Sequence, residues 1–232
     1  MSYKVILWDI DGTLLDFHAA ESVAIRALFL KHKLGICTDE MLADYSAINR
    51  TYWQRLELGV LTKPEVLVGR FREFFGKYGL NTDCAVAFND DYQLALGDTV
   101  RFFPGAWETV TALKGKVLQC AVTNGTAIAQ HRKLKNSGLG EIFDDVFISD
   151  EVGFEKPMVA FFDAVWAKIG KFEPDEVLIV GDSLTSDIQG GNNVGIHTCW
   201  FNPNGDPLPS NLRIDYDIRC ISEVLEICQC GK

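Results

Sequence analysis

The sequence predicts an α/β protein: a doubly wound parallel sheet with an α-helical cap inserted after the first strand. Three observations carry that reading. Continuous apolar runs of four to six residues recur along the chain, the form taken by strands buried on both faces of a parallel sheet. Helical stretches separate most of them, and strand alternating with helix implies right-handed crossovers. One block, about 17–100, breaks the alternation with amphipathic patterns and no convincing strand.

Taken in order, Val5–Trp8 is the first strand and ends at Asp9. The next block reads as four helices, Ala20–His32, Asp39–Leu58, Lys63–Tyr78 and Cys84–Leu96, with Gly35, Gly59, Gly79 and Gly97 as breakers. Alternation then resumes with helix Ala106–Leu113, strand Val117–Val122 and helix Ala127–Asn136, which Gly138 stops. Strand Val146–Ile148 leads to helix Met158–Ile169, opened by Pro157. Strand Val177–Val180, helix Ser186–Asn193 and strand Ile196–Trp200 follow, with Ile214–Ile218 as a short edge strand. Asn202–Asn211 is a loop by composition. The division expected is a Rossmann-like core, 1–16 and 101–232, and a helical cap, 17–100, hinged near Phe17 and Val100–Phe103.

A chain of 232 residues is ample for such a core and insertion. Its net charge of -10 argues against a nucleic-acid polymer or an anionic membrane as partner. No apolar run approaches the roughly 18 residues of a membrane span, and the run from Met1 to Trp8 is too short for a signal peptide. The seven cysteines are scattered, and Cys228-Gln229-Cys230 has no further ligand nearby to complete a zinc set. Reduced thiols in a cytoplasmic protein are the expectation.

In an open parallel sheet, ligands bind beyond the carboxyl ends of the strands. There the chain carries Asp9-Ile10-Asp11-Gly12-Thr13, Thr123-Asn124-Gly125, Glu155-Lys156-Pro157 and Gly181-Asp182-Ser183, with Asp187 shortly after. Gathering Asp9, Asp11, Asp182 and Asp187 has a cost: two like charges about 4 Å apart repel by about 4 kcal/mol at an effective dielectric near 20. Protons or a cation must relieve it, and hard carboxylate oxygens at a partly open site suit Mg²⁺. Lys156 adds a point charge for a phosphoryl oxygen, and Thr123 with the backbone of Asn124 and Gly125 forms an anion seat. Phosphoryl transfer is the chemistry this set supports.

The four stretches DIDGT (9–13), TNG (123–125), Lys156 before Pro157 and GDSLTSD (181–187) resemble, in order, the four motifs of the haloacid-dehalogenase superfamily. The helical block resembles that family's small cap. The resemblance implies Asp9 as nucleophile forming an aspartyl-phosphate, and Asp11 as the acid and then the base. It further implies Mg²⁺ on the carboxylates of Asp9 and Asp182 and the backbone carbonyl of Asp11, with Asp187 acting from outside or through water. Thr123 and Asn124 would hold the phosphoryl group. An aspartate at position 11 favours phosphate over carbon–halogen chemistry.

A closer resemblance is to the pyrimidine nucleoside 5′-monophosphatases of that superfamily. It rests on Tyr45–Trp53 (YSAINRTYW), Gly69-Arg70-Phe71, Ser149-Asp150 and Gly191–Asn202. It implies a nucleotide monophosphate as substrate, and a monomer or dimer. Phe17, Trp53 and Phe71 could stack on a base or simply pack the cap. His18 could be a cap acid or base or a surface residue at a hinge, and Arg70 could meet substrate or coat a helix. A phosphoglycolate or sugar-phosphate phosphatase, or a mutase, remains the alternative. A phospho-accepting receiver fits less well, since its acidic pair is adjacent and it needs no large cap.

Overall fold

The computed structural model describes residues 3–229. Met1 and Ser2 of the N-terminal run, and Cys230 of the Cys228-Gln229-Cys230 pair, lie outside the described residues. Among the described residues, six strands, β1 (Val5–Trp8), β2 (Leu118–Thr123), β3 (Asp145–Ile148), β4 (Val177–Gly181), β5 (His197–Phe201) and β6 (Tyr216–Ile218), form one sheet. Their order is β3-β2-β1-β4-β5-β6 and every pairing is parallel. The order reverses between β1 and β4, and such a switch point opens a crevice at the carboxyl ends of the strands.

Among the described residues, ten α-helices accompany the sheet: α1 (Phe17–Lys31), α2 (Asp39–Glu57), α3 (Lys63–Lys77), α4 (Ala85–Asp98), α5 (Ala106–Leu113), α6 (Ala127–Ser137), α7 (Ser149–Val152), α8 (Val159–Ile169), α9 (Gln189–Val194) and α10 (Glu223–Gln229). Strand side chains alternate between two buried layers. Ile6, Trp8, Leu178 and Val180 face Val110 of α5 and Val224 of α10, while Val5, Leu7, Val122 and Ile179 face Phe161 and Val165 of α8. Each such side chain, fully buried, stabilises the fold by about 1.5–3 kcal/mol. Among the described residues, no helix is long and apolar enough to cross a membrane.

Helices α1–α4 enclose an aromatic core of their own, in which Phe29, Tyr45, Phe71, Phe74, Phe75, Phe88 and Tyr92 are buried. Asp16 caps α1 by accepting from the Ala19 N–H at 2.9 Å. The two connections into this block run side by side, with Asp16 N–H donating to Arg101 O at 2.7 Å and Phe103 N–H to Leu14 O at 3.0 Å.

Two helices start earlier than their sequence patterns suggest, and the first is α1, which begins at Phe17 rather than Ala20 because Asp16 caps it there. Where a helix is expected over Ser186–Asn193, a π-helical turn, Leu184–Ile188, precedes α9. Ser183 caps that turn through the Ser186 N–H at 3.2 Å, and Asp187 Oδ2 accepts from the Ser183 N–H at 3.1 Å. These bonds fix the loop that carries Asp182.

Candidate active site

Asp9 follows β1, and its N–H is tied to Val180 O of the neighbouring β4 at 2.9 Å. Asp182 follows β4, so the switch point sets the two carboxylates side by side. Oxygens of Asp9, Asp182 and Asp187 lie within 4.8 Å of one another. Thr13 locks the pair together: its hydroxyl hydrogen is shared between Asp9 Oδ2 (2.9 Å) and Asp182 Oδ1 (3.3 Å), and its oxygen accepts from Asp182 N–H at 3.0 Å. Two glycines permit this closeness. A Cβ on Gly12, whose φ is +94°, would stand 2.5 Å from Asp182 Oδ2, and one on Gly181 would stand 2.2 Å from the Asp187 carboxyl.

Lys156 balances part of this charge. Its buried ammonium donates to Asp9 Oδ1 at 2.9 Å, Asp187 Oδ1 at 2.6 Å and Val122 O at 2.6 Å. An ammonium has three donors, so none is left over for a phosphoryl oxygen in this arrangement. Lys156, expected to offset the charge of both nucleophile and phosphate, does the first through Asp9 and braces the carboxylates from beneath. Burial alone would pull its pKa down, but the Asp187 and Asp9 carboxylates outweigh that and raise it. Burial pushes Asp9 up to about 7 against the pull of Lys156, with Asp187 adding to the rise. Asp182 reaches solvent with part of its surface, yet desolvation of its carboxyl in the packed loop, followed by the charges of Asp9 and Asp187, raises it above the ordinary carboxylate range.

The strand-two residues divide their work differently from expectation. Thr123 is buried and its Oγ accepts from Gly125 N–H at 3.1 Å, leaving its own hydrogen for a ligand. Asn124 does not turn its amide to an anion. Its Nδ2 donates to Lys156 O and its Oδ1 accepts from Lys156 N–H, both at 2.8 Å. The side chain therefore fixes the loop that delivers the lysine.

Asp11 also differs. Its carboxylate lies outside the three-carboxylate cluster and turns toward α6, where it accepts from Gln130 Nε2 at 2.6 Å and pairs with Lys133. Lys133 is buried and needs a counter-charge, which explains the turn.

Above these groups lies a cavity of about 220 Å³. Its floor is Asp9, Asp11, Thr123, Asn124, Gly125, Lys156, Asp182 and Asp187. Phe17, His18, Ser46, Asn49, Arg50, Trp53 and Glu57, from α1 and α2, line the rest together with Ser183 and Ser186. His18 is raised above the ordinary histidine value by its hydrogen bond to Glu21. Arg70 lines only a small adjoining hollow and stands behind Asn49, to which it donates at 2.7 Å. Phe71 is buried in the aromatic core.

Sequence reading passed over several residues. Thr13 was visible inside DIDGT. Gln130 and Lys133 fall at helical spacing from Thr126, on the face of α6 that meets the small adjoining hollow. Glu57, which accepts from Thr185 across the cleft, and Ser46 and Asn49 gave no signal of their own.

The donor set suits a hard divalent cation. Carboxylate oxygens of Asp9 and Asp182 stand close together; both groups are raised first by desolvation, Asp187 adds to each, and Asp9 adds to the rise of Asp182, a crowding that bound positive charge would relieve. Asp187 is occupied by Lys156 and Ser183, which fits a supporting place rather than direct contact.

Comparison with known proteins agrees with this architecture. The model for the haloacid dehalogenase-like hydrolases matches residues 3–195. HAD-hydrolase YfnB of Bacillus subtilis is 37% identical over 225 residues, covering 97% of this chain and 95% of that protein. A crystal structure of YfnB bound to magnesium superposes with a TM-score of 0.93 at 36% identity, covering 98% of this chain and 99% of that one. Pyrimidine 5′-nucleotidase PynA of Streptococcus pneumoniae is 35% identical, covering 97% and 95% of the two chains. Pyrimidine 5′-nucleotidase YjjG of Escherichia coli is 30% identical, covering 98% of each.

Proposed function

The chain belongs to the haloacid dehalogenase-like hydrolases, and on that premise we propose that it is a magnesium-dependent phosphomonoesterase acting on a pyrimidine nucleoside 5′-monophosphate. The observation that carries the reading is the Lys156 ammonium bridging Asp9 and Asp187 at 2.9 and 2.6 Å, directly under a cavity roofed by aromatic residues. A carboxylate held so is a nucleophile with fixed direction. The two nucleotidase relatives support the choice of substrate, and the cavity leaves space for a leaving group larger than a bare alcohol.

Asp9 attacks phosphorus as the bond to the ester oxygen breaks. The leaving oxygen takes a proton from Asp11, once that carboxyl has been protonated and has turned from Gln130 and Lys133 toward the cavity it also lines. Water then gives a proton back to Asp11 and displaces the carboxylate from phosphorus, which releases inorganic phosphate and restores Asp9. Thr123 orients the phosphoryl group, and Lys156 keeps Asp9 charged and aimed. Magnesium would be held by Asp9, Asp182 and the Asp11 carbonyl, with Asp187 supporting, and would supply positive charge beside the phosphoryl oxygens. Helices α1 and α2 exclude water and select the leaving group. Buried, free thiols at Cys37, Cys120 and Cys199 are consistent with a cytoplasmic setting.

Released phosphate measured over a panel of monoesters, with and without magnesium, tests the proposal. Uridine or cytidine monophosphate should be preferred and the metal required. Equal or better turnover of phosphoglycolate or a sugar phosphate would overturn the nucleotide assignment.

A further inference from the structure

The helical block hides two opposite charges that the reaction itself does not use. Glu21 of α1 and Arg70 of α3 are each 1% exposed. They make no ion pair with each other. Asn49 of α2 stands between them, its Nδ2 donating to Glu21 Oε2 at 3.1 Å and its Oδ1 accepting from Arg70 Nη1 at 2.7 Å. Ser46, one turn earlier, donates its hydroxyl to Glu21. Arg70 is further held by Asn89 Oδ1 at 3.2 Å and lies over the Phe71 and Tyr92 rings, 4.9 and 5.2 Å from their centroids.

Burying such charges costs several kcal/mol each, and an apolar filling would serve stability as well or better. What the arrangement does supply is direction. A guanidinium only donates and a carboxylate only accepts, so the Asn49 amide has one orientation and cannot flip. Ser46, its hydrogen committed to Glu21, can only accept from a ligand. Asn49 keeps one N–H and one lone pair beyond those two bonds. Both residues line the cavity, so its wall presents donors and acceptors of preset sense.

Such a wall separates ligands by the sense of their hydrogen bonds. Sugar hydroxyls rotate to donate or accept and would not be distinguished by it. A pyrimidine edge, whose carbonyl and ring or amino nitrogens are fixed in sense, would be. Trp53 lines the same cavity and offers a flat apolar face beside that edge.

We propose that Ser46 and Asn49 are specificity-determining residues that read the base edge, with Glu21 and Arg70 as positioning residues behind them. This rests on the phosphatase reading above and names what selects its leaving group.

The test is the ratio of kcat/KM for uridine monophosphate to that for p-nitrophenyl phosphate, whose leaving group has no such edge. It is measured in the wild type, in Ser46→Ala and in Asn49→Asp, which keeps an acceptor for Arg70 and removes the donor. The ratio should fall about tenfold or more in each variant. A general loosening of the cap lowers both substrates together, and a ratio unchanged from wild type in the folded variants overturns the inference. If Asn49→Asp does not fold, Ser46→Ala decides alone. A wild type that cleaves p-nitrophenyl phosphate but no nucleotide overturns the nucleotide assignment first, and this inference with it. A nucleotide-preferring wild type with unmoved variants overturns this inference alone.

Discussion

Replacing Lys156 by methionine keeps most of the side chain's length, one atom short, and removes its charge and its three hydrogen bonds. Asp9, Asp182 and Asp187 then face one another with oxygens within 4.8 Å, a separation at which each like-charge pair repels by about 3.5 kcal/mol at an effective dielectric near 20. Proton uptake will relieve part of that, since Asp9 already stands at about 7 with the lysine present. The net loss expected is that of a broken buried pair, about 3–5 kcal/mol, and at roughly 2–4 °C per kcal/mol a chain of this size melts some 6–20 °C lower. The loss is larger at pH 8 than at pH 5, because the carboxylates are charged at the higher pH. Thermal melts of both proteins in chelator and in magnesium measure it. Magnesium should raise the melting temperature of Lys156→Met more than that of the wild type, since a bound cation replaces the missing charge. Equal melting of the two proteins in chelator at pH 8 would refute the electrostatic account.

Glu57 is pushed up to about 7 by burial, with the neighbouring Asp187 adding to the rise. A raised carboxylate stabilises the fold fully below its unfolded value near 4.5 and loses that contribution as pH climbs through 7, here about 1–3 kcal/mol after allowance for partial exposure. Metal-free Glu57→Gln should therefore lack part of the wild type's decline in melting temperature over this range, and parallel curves would refute the assignment. Gly12→Ala forces a Cβ to 2.5 Å from Asp182 Oδ2 at a φ of +94°, and should cost about 1–3 kcal/mol of stability and weaken magnesium binding. Calorimetric titration showing wild-type affinity in that variant would contradict the close fit.

The layers were legible because their signals are one-dimensional. Val5–Trp8 and Val177–Val180 are continuous apolar runs ending in aspartates, and a parallel sheet delivers those ends to one edge. Hence the meeting of Asp9 with Asp182 could be read before any coordinates. Side-chain direction could not. The notion that Lys156 reaches for phosphate takes the residue singly, and the reading of Asn124 as backbone of an anion seat is silent on its side chain. In the fold, Asn124 spends both ends of its amide on the lysine's backbone, and the lysine spends all three protons on oxygens beneath the cavity. Asp11 likewise appears in the sequence as one more carboxylate among three, and only the packing of α6 reveals Lys133 as its partner. In the sequence Arg70 reads equally as a substrate contact or a helix coat, yet its place depends on Asn49 and Glu21, which lie on two other helices. Such triads have no local spacing to betray them.

The central claim is that Asp9 carries the phosphoryl group. Acid quenching during turnover of uridine monophosphate, followed by peptide mass analysis, addresses it directly. The account predicts one added phosphoryl group on the peptide containing Asp9, removed by hydroxylamine and absent in a folded Asp9→Asn variant that no longer releases phosphate. Undiminished turnover in Asp9→Asn, or a phosphoryl group found on another residue, would contradict it.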